Sequence, residues 1–483
     1  MRTPLRFLLV LFIFFQACNS TPDKKKEIDS FDETPISTPI KFDLPAIKER
    51  GVLKAIVVHG PTSFFIYKGE TMGFEYELLR DLTKALGVEL EIVVAKDFDV
   101  LGGWLNSGKG DIVAHGFTPT TNRKKRFEFT NYLYLTRQVL VQRKPHNWRQ
   151  LKLHEIKRTL KNDAIELIND TVSVRRLSSY KMRLENLMNE VGGTIYIDEV
   201  DSNITTDELI GMVSAGEIKY TIADNTLAKM HAYHFKNIDV SVPVSLSQKA
   251  SWVLRKNAPD LKAALNDWIK KAKRQSDYHV IYNRYYKNRQ SIKKHTEGDY
   301  VLNENGKLSP YDDLIKSYAD RLPWDWVLLA SQVYQESRFD PTAKSWASAQ
   351  GLMQIMPSTA KELGISNPSS PEESLKAGTK YLNQLWNEWP TIEDHEQRIK
   401  FTLASYNAGL NHVKDAVTLT KLEGGNPTVW ENHVENSMLK LTYRKYYTKP
   451  EIKFGYVHGV EPVNYVKDIF ERYNLYNQIL ENG

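Results

Sequence analysis

The stretches VLKAIVVHG (Val52 to Gly60) and GFEYELLRDLTKALGVELEIVVAKD (Gly73 to Asp97) change their apolar period twice. The first alternates as a strand does and stops at a glycine. The second spaces its apolar residues three and four apart, halts at Gly87 and then alternates again. A strand, a helix and a strand in that order need a crossover, which commits this part of the chain to an α/β fold with mainly parallel pairing. LNSGKGDIVAHGFTPTTNRKKRFEFT adds a turn, a buried strand and a loop, and TVSVRRLSSY and IKYTIADNTLAKMHAY supply a second strand–helix set. Two α/β lobes with crossing connections enclose a cleft at the carboxyl ends of their strands.

The chain has 483 residues, too many for one ordinary domain, so two or three are expected. The span YYKNRQSIKKHTEGDYVLNENGKLSPYDD is polar and holds the boundary. The predicted units are 42–290, a linker at 291–307, and 308–483, which reads as nearly all helix. In LPWDWVLLASQVYQESRFD, Pro323 sits near a helix start, and Trp326, Leu329, Ala330 and Val333 form a buried stripe. Glu336 lies three residues beyond Val333 and seven beyond Leu329, at the edge of the apolar face. A carboxyl there loses hydration, its pKa rises, and it keeps a proton for general-acid work near neutral pH. Ser337 follows directly. In GLMQIMPSTAKELGI, Leu352, Met353 and Ile355 are apolar, while Gln354 carries the paired donor and acceptor that suit sugar hydroxyls and acetamides. Ser370 is read as a helix cap with Pro371 at the first helical position. RIKFTLASYNAGLNHV is a helix broken at Asn407-Ala408-Gly409, which leaves Tyr406 and Asn407 available to a cleft, and Tyr465 falls on a late helix.

Charge and cysteine content exclude other classes. The net charge of +6 is spread along the chain, with no basic block of the kind that binds nucleic acid, and it suits an anionic cell-wall surface. One cysteine, Cys18, permits no internal disulfide, and the scattered histidines lack His-Glu-x-x-His spacing, so neither a metal nor a cofactor is expected. Cys18 closes a short apolar run, Phe7 to Phe15, that follows Arg2 and Arg6. The run has signal-peptide length, below the ~18 residues of a membrane span. Ala17-Cys18 resembles a bacterial lipoprotein cleavage box, with residues 1–18 as signal peptide, lipid on Cys18 and residues 19–41 as a flexible tether. The expected location is the cell envelope, anchored to the outer membrane and facing the periplasm.

GDIVAHGFTPTTNRKKRFEFT, with the strands and helices around it, resembles the family 3 extracellular solute-binding domain. The resemblance implies a ligand carboxylate held by Thr118 and Arg123, a ligand amino group on Asp224, and Ser178 and Ser179 near the cleft. Gly116 stands where that family often has a second hydroxyl. In the second unit Glu-Ser, Gly-Leu-Met-Gln, Ser-Tyr-Asn-Ala-Gly and a late Tyr-Val occur in the order of the lysozyme-like soluble lytic transglycosylase domain. SWASAQ, before Gly351, departs from the usual lead-in. The two units in this order resemble the membrane-bound lytic murein transglycosylase F subgroup. That resemblance implies cleavage of peptidoglycan glycan strands between N-acetylmuramic acid and N-acetylglucosamine, leaving 1,6-anhydro ends, by Glu336 alone. Ser337, Met353, Gln354, Tyr406, Asn407 and Tyr465 then position the sugars, and the first unit takes a small cell-wall-derived or amino-acid-like ligand. Two other readings stay open. One is a solute-binding sensor with a silent catalytic domain. The other is a water-using muramidase, which needs a second carboxylate. Asp340 is the nearest acid, and its position reads as a helix-end surface residue.

Overall fold

The computed structural model describes residues 37–288 and 307–482, apart from Pro61, Lys68, Lys96, Asp97, Leu177, Ser202 and Asn203. The signal-peptide and Cys18 readings and most of the tether and linker lie outside the described residues. Residues 37–41, read as the end of the tether, are bonded to the first lobe: Ile40 N donates to Asn106 O at 2.9 Å, and Asn257 Nδ2 donates to Ile40 O at 2.9 Å.

The first lobe is a sheet in the order Glu89–Ala95, Val52–Val58, Ile112–Phe117, Gln248–Leu254, Glu128–Phe129. Its first three strands are parallel, as the strand–helix–strand pattern requires, while Gln248–Leu254 returns antiparallel. The helix Phe74–Leu86 buries Phe74, Leu78, Leu79 and Leu82 against it and ends on Gly87 in the left-handed region. The second lobe has the order Tyr196–Val200, Thr171–Arg175, Tyr220–Asp224, Gln138–Arg143, Ile238–Asp239. The chain passes between lobes twice, from Thr136 to Gln138 and from Val244 to Gln248, so the cleft lies between two sheets joined by paired crossings. Arg255, fully buried, ties the first lobe together through Leu105 O, Gly110 O, Phe42 O and Asp111.

The second unit is helical. The helix Trp326–Ser337 is capped by Asp325, whose side chain accepts from Val327 N at 2.8 Å and Leu328 N at 3.1 Å. Pro323 therefore stands ahead of the helix rather than inside its first turn. The buried stripe is also broader than the sequence suggested. Val327 through Tyr334 are all buried, while Trp326 is only half-buried. The helices Asp312–Ala319, His395–Ala408 and Val460–Asn482 pack with it in one core, so its burial extends beyond a single stripe and takes in the polar Ser331 and Gln332. Ser370 caps the helix Pro371–Asn387, with Pro371 at its start as expected.

The two units share a continuous apolar core. Val94 N, on the edge strand Glu89–Ala95, donates to Gln478 Oε1 at 2.9 Å, and Lys467 pairs with Glu89 at 2.6 Å. The last helix thus covers a strand edge that would otherwise be open. Tyr476 OH donates to Gly69 O at 2.8 Å. Gly69 has φ +75°, and a Cβ there would strike Tyr334 and Phe339 beside the Glu336 turn.

Candidate active site

Glu336 stands in the last turn of Trp326–Ser337, half-buried among helices. Burial pushes its carboxyl up from 4.5 to about 7, against the opposing pull of the Tyr465 hydroxyl. That hydroxyl donates to Glu336 Oε1, and Gln332 Nε2 donates to Tyr465 OH at 3.1 Å. Gln332 is one helical turn before Glu336, so the acid's own helix supplies the group that orients its partner. Sequence reasoning missed Gln332; its place at i−4 on the face carrying the acid was the available signal.

The backbone then bends sharply. Arg338 (φ 53°), Phe339 (φ 61°), Ser348 (φ 69°) and Gln354 (φ 48°) all lie in the left-handed region, a concentration of strain of the kind found at functional sites. Gly351, at φ +82°, has no room for a Cβ, which would collide with the Pro368 carbonyl oxygen. Ser337 Oγ donates to Leu352 O at 2.9 Å and to Val333 O at 3.1 Å. Tyr406 OH donates to Met353 O at 2.7 Å, and Met353 N donates to Ser374 Oγ at 3.0 Å. Gln354 Nε2 donates to Ala343 O at 3.1 Å and Gly351 O at 3.0 Å.

These bonds redistribute the expected roles. Glu336, Tyr465 and Tyr406 come together, Gln354 follows the Met353 carbonyl that Tyr406 holds, and Asn407 is exposed at the helix break. Two residues expected to touch sugar instead face inward. Met353 is 0% exposed and packs against Gly378, and the buried Ser337 hydroxyl is spent on backbone carbonyls. Ser337 ties the acid helix to the turn, and Met353 ties the turn to the helix Pro371–Asn387. Asp340 is turned into its own loop, accepting from Thr342 N at 2.8 Å and Thr342 Oγ1 at 2.7 Å.

Trp346 is 99% exposed, at the tip of a turn closed by Ser345 N to Ala349 O and Ser348 N to Ser345 O, both 3.0 Å. The neighbouring Ala343 carbonyl holds both Gln354 Nε2 and Gly351 N. This tryptophan lies within the departing SWASAQ segment, and its ring was not singled out from the sequence.

In the first unit, Arg123 of the first lobe is close enough to Asp224 of the second to act on its charge, Thr118 sits against Arg123, and Ser178 stands at the N-cap of the helix Ser179–Val191. Arg123 Nη1 donates to Thr118 O at 3.3 Å, and Thr118 Oγ1 donates to Gln248 Oε1 at 3.2 Å. Asp224, at the end of its strand, is raised to about 7 by burial, with Arg123 opposing. Ser179 Oγ instead accepts from Gln138 Nε2 at 3.2 Å, beside a lobe crossing. The place left by Gly116 is filled: a Cβ there would strike the Tyr134 hydroxyl.

Residues 55–288 match the model of the bacterial extracellular solute-binding proteins, family 3, and residues 313–427 match the transglycosylase SLT domain. A Desulfosudis oleivorans protein named membrane-bound lytic murein transglycosylase F is 32% identical over 89% of this chain and 91% of its own length. The chain belongs to that family. A Vibrio cholerae protein of the same name is 30% identical over 90% of this chain and 81% of its own. Among solved structures, a mutant ArgBP from T. maritima is 24% identical, with TM-score 0.41, over 51% of this chain and 99% of its own. The SLT match includes Glu336, Gln354, Tyr406 and Asn407 and ends before Tyr465, which the fold alone brings to the acid.

Proposed function

We propose that this chain is a peptidoglycan lytic transglycosylase that works with one carboxyl group, Glu336. The observation that carries the reading is the half-buried Glu336, its carboxyl raised to about 7 by burial and held by the Tyr465 hydroxyl, in a chain of this family. Glu336 gives its proton to the glycosidic oxygen as the bond from C1 to that oxygen breaks. The ionised carboxylate keeps the Tyr465 O–H bond and then takes the proton of the muramic 6-hydroxyl, whose oxygen closes on C1. No water enters. A water-using muramidase needs a second working carboxylate, and Asp340 is committed to its own loop. Incubation of purified peptidoglycan with the protein is expected to release soluble fragments without new reducing ends. Reducing ends in proportion to release would replace the reading with hydrolysis. Failure to release fragments would favour the binding-only reading.

Tyr465→Phe separates the two states of the acid. The hydroxyl favours the charged carboxylate, so its removal raises the Glu336 pKa. Activity that needs the protonated acid is lost as pH rises through that value, so the alkaline limb is expected to move up by about one pH unit. The ionised form loses its donor, and kcat falls by roughly 10- to 100-fold. A pH–rate profile with an unmoved limb would detach Tyr465 from the acid.

Trp346 offers a flat apolar face that no folding argument explains, on a hydrogen-bonded turn tied to Gln354. It fits a sugar ring of the glycan strand. Trp346→Ala is expected to raise KM on polymeric glycan by about tenfold while kcat holds. An unchanged KM would leave the ring without this role.

The finer location reading is lipid attachment at Cys18, supported by the apolar run before it and by relatives named membrane-bound. Among the described residues no helix is long and apolar enough to cross a membrane. The first unit is read as binding a small ligand through Arg123, Thr118 and Asp224.

A further inference from the structure

Residues 443–458, between the helices Glu435–Lys440 and Val460–Asn482, form a compact loop whose ends meet. Thr442 Oγ1 donates to Val457 O at 3.2 Å and accepts from Gly459 N at 3.1 Å. Gly459 lies so close to the Met438 carbonyl that a Cβ would strike it. The buried Asp415, on the helix Leu410–Leu422, accepts from Lys453 N at 3.0 Å, Phe454 N at 2.7 Å and Gly455 N at 3.2 Å. Ile452 and Val457 are buried anchors, and Tyr447 meets Tyr456 edge to face with ring centroids 5.8 Å apart. The loop is pinned along its length, so what it shows outward is a fixed surface.

That surface is aromatic and cationic. Tyr443, Phe454 and Tyr456 are 63%, 48% and 55% exposed. Arg444, Lys445 and Lys453 are exposed and Lys449 is half-buried. Residues 443–458 thus hold four Lys or Arg against one acid, Glu451, while the whole chain balances 65 against 59. Among the described residues no acid forms an ion pair with any of the four. The neighbouring acids are committed elsewhere: Glu423 pairs with Lys440 at 2.8 Å, and Glu461 stands 3.8 Å from His458. Lys445 lies 4.7 Å from the Tyr446 ring centre. Four like charges on one pinned loop repel one another, and an anion relieves that repulsion. Exposed rings interleaved with such cations mark a surface for a partner rather than for the core.

We infer that this loop docks the acidic stem peptides of peptidoglycan. The inference rests on the reading of the chain as a lytic transglycosylase, and it adds a preference for glycan that still carries its peptides. In that polymer the N-acetylated sugars are neutral and the carboxylates belong to the peptides. Cations gain nothing from the sugars, so Arg444, Lys445, Lys449 and Lys453 answer peptide carboxylates. Tyr443, Phe454 and Tyr456 cover the apolar parts of the same strand. The loop runs directly into Val460–Asn482, the helix whose Tyr465 holds Glu336, so a strand docked here is presented to the unit that cuts it. An anionic bilayer is the rival occupant. The membrane attachment read from the sequence, however, is at Cys18, ahead of the first unit.

The test measures binding of the full chain in detergent, made inactive by Glu336→Gln, to immobilised uncrosslinked glycan strands before and after an amidase strips their peptides. Peptide-bearing strands are expected to bind roughly five- to tenfold more tightly, an advantage lost in about 0.5 M salt. Arg444→Gln, Lys445→Gln, Lys449→Gln and Lys453→Gln together should bring that affinity down to the level of stripped strands and leave stripped strands unaffected. Lys445→Arg, Lys449→Arg and Lys453→Arg should keep the advantage. In the active protein the four glutamines should raise KM on peptide-bearing strands by the same factor while kcat and thermal unfolding hold. Equal affinity for the two kinds of strand, or an advantage that survives the four glutamines, would overturn the inference. Phosphatidylcholine vesicles with and without phosphatidylglycerol test the rival. Binding to the charged vesicles that the four glutamines abolish, with no advantage for peptide-bearing strands, would give the loop to the membrane. Failure of the active protein to release fragments from either kind of strand would overturn the transglycosylase reading instead, and it is read apart from the binding result, which needs no catalysis.

Discussion

Glu336→Gln is expected to lower turnover of purified peptidoglycan by about a thousandfold or more, with the fold intact. General acid–base groups contribute roughly 10²- to 10⁴-fold, and here one group serves as acid and then as base, so both contributions are lost together. Glutamine keeps the size of the side chain and can still accept the Tyr465 hydrogen bond, which makes loss of folding an unsuitable explanation for loss of rate. Thermal unfolding should be unchanged or slightly later, because a neutral amide replaces a carboxyl whose charged form burial disfavours. Retention of a tenth of the activity would show that another group supplies the proton.

Gly351→Ala carries the second large expected effect, on stability as well as activity. The position combines a left-handed φ of +82° with a Cβ site that collides with the Pro368 carbonyl oxygen, so neither rotation nor a side-chain shift relieves it. The cost is expected to reach about 3 kcal/mol, lowering the unfolding midpoint of the helical unit by roughly 6–12 °C. Activity falls with it, because this turn sets the carbonyls that Ser337 and Tyr406 hold and the backbone of Gln354. Gly364→Ala is the matched control. Its φ is +73° but nothing lies within 4 Å of the added carbon, so only the backbone preference of about 1 kcal/mol is lost. Equal effects in the two variants would mean that the Pro368 contact is unimportant.

Local pattern carried much of this into the sequence. The change of period between Val52 and Ala95 specified a helix between parallel strands, and the spacing of Leu329, Val333 and Glu336 placed the acid at the margin of a buried face. The same spacing could not say what closes over that margin. Tyr465 is distant along the chain, and its bond to Glu336 depends on how Val460–Asn482 packs against Trp326–Ser337. Met353 and Ser337 show the opposite difficulty. A motif fixes which residues accompany the acid, but the turn's left-handed residues decide which side chains face out, and they send these two inward. The junction of the units was illegible for a related reason. It rests on Gly69, Val94, Tyr476 and Gln478, none of which carries a local signature of contact with the other unit. Arg175 reads as an ordinary strand-end cation until the second lobe brings it onto Phe98.

The central claim is that a single carboxyl breaks the glycan and that the sugar's own hydroxyl replaces water. Digestion in heavy-oxygen water, followed by mass spectrometry of the released muropeptides, tests it most directly. Fragments lighter by one water than hydrolytic ones, free of the heavy isotope and missing with Glu336→Gln, are the expected result. Fragments that carry one heavy oxygen at a reducing muramic end would contradict the account and place a second carboxylate in the mechanism.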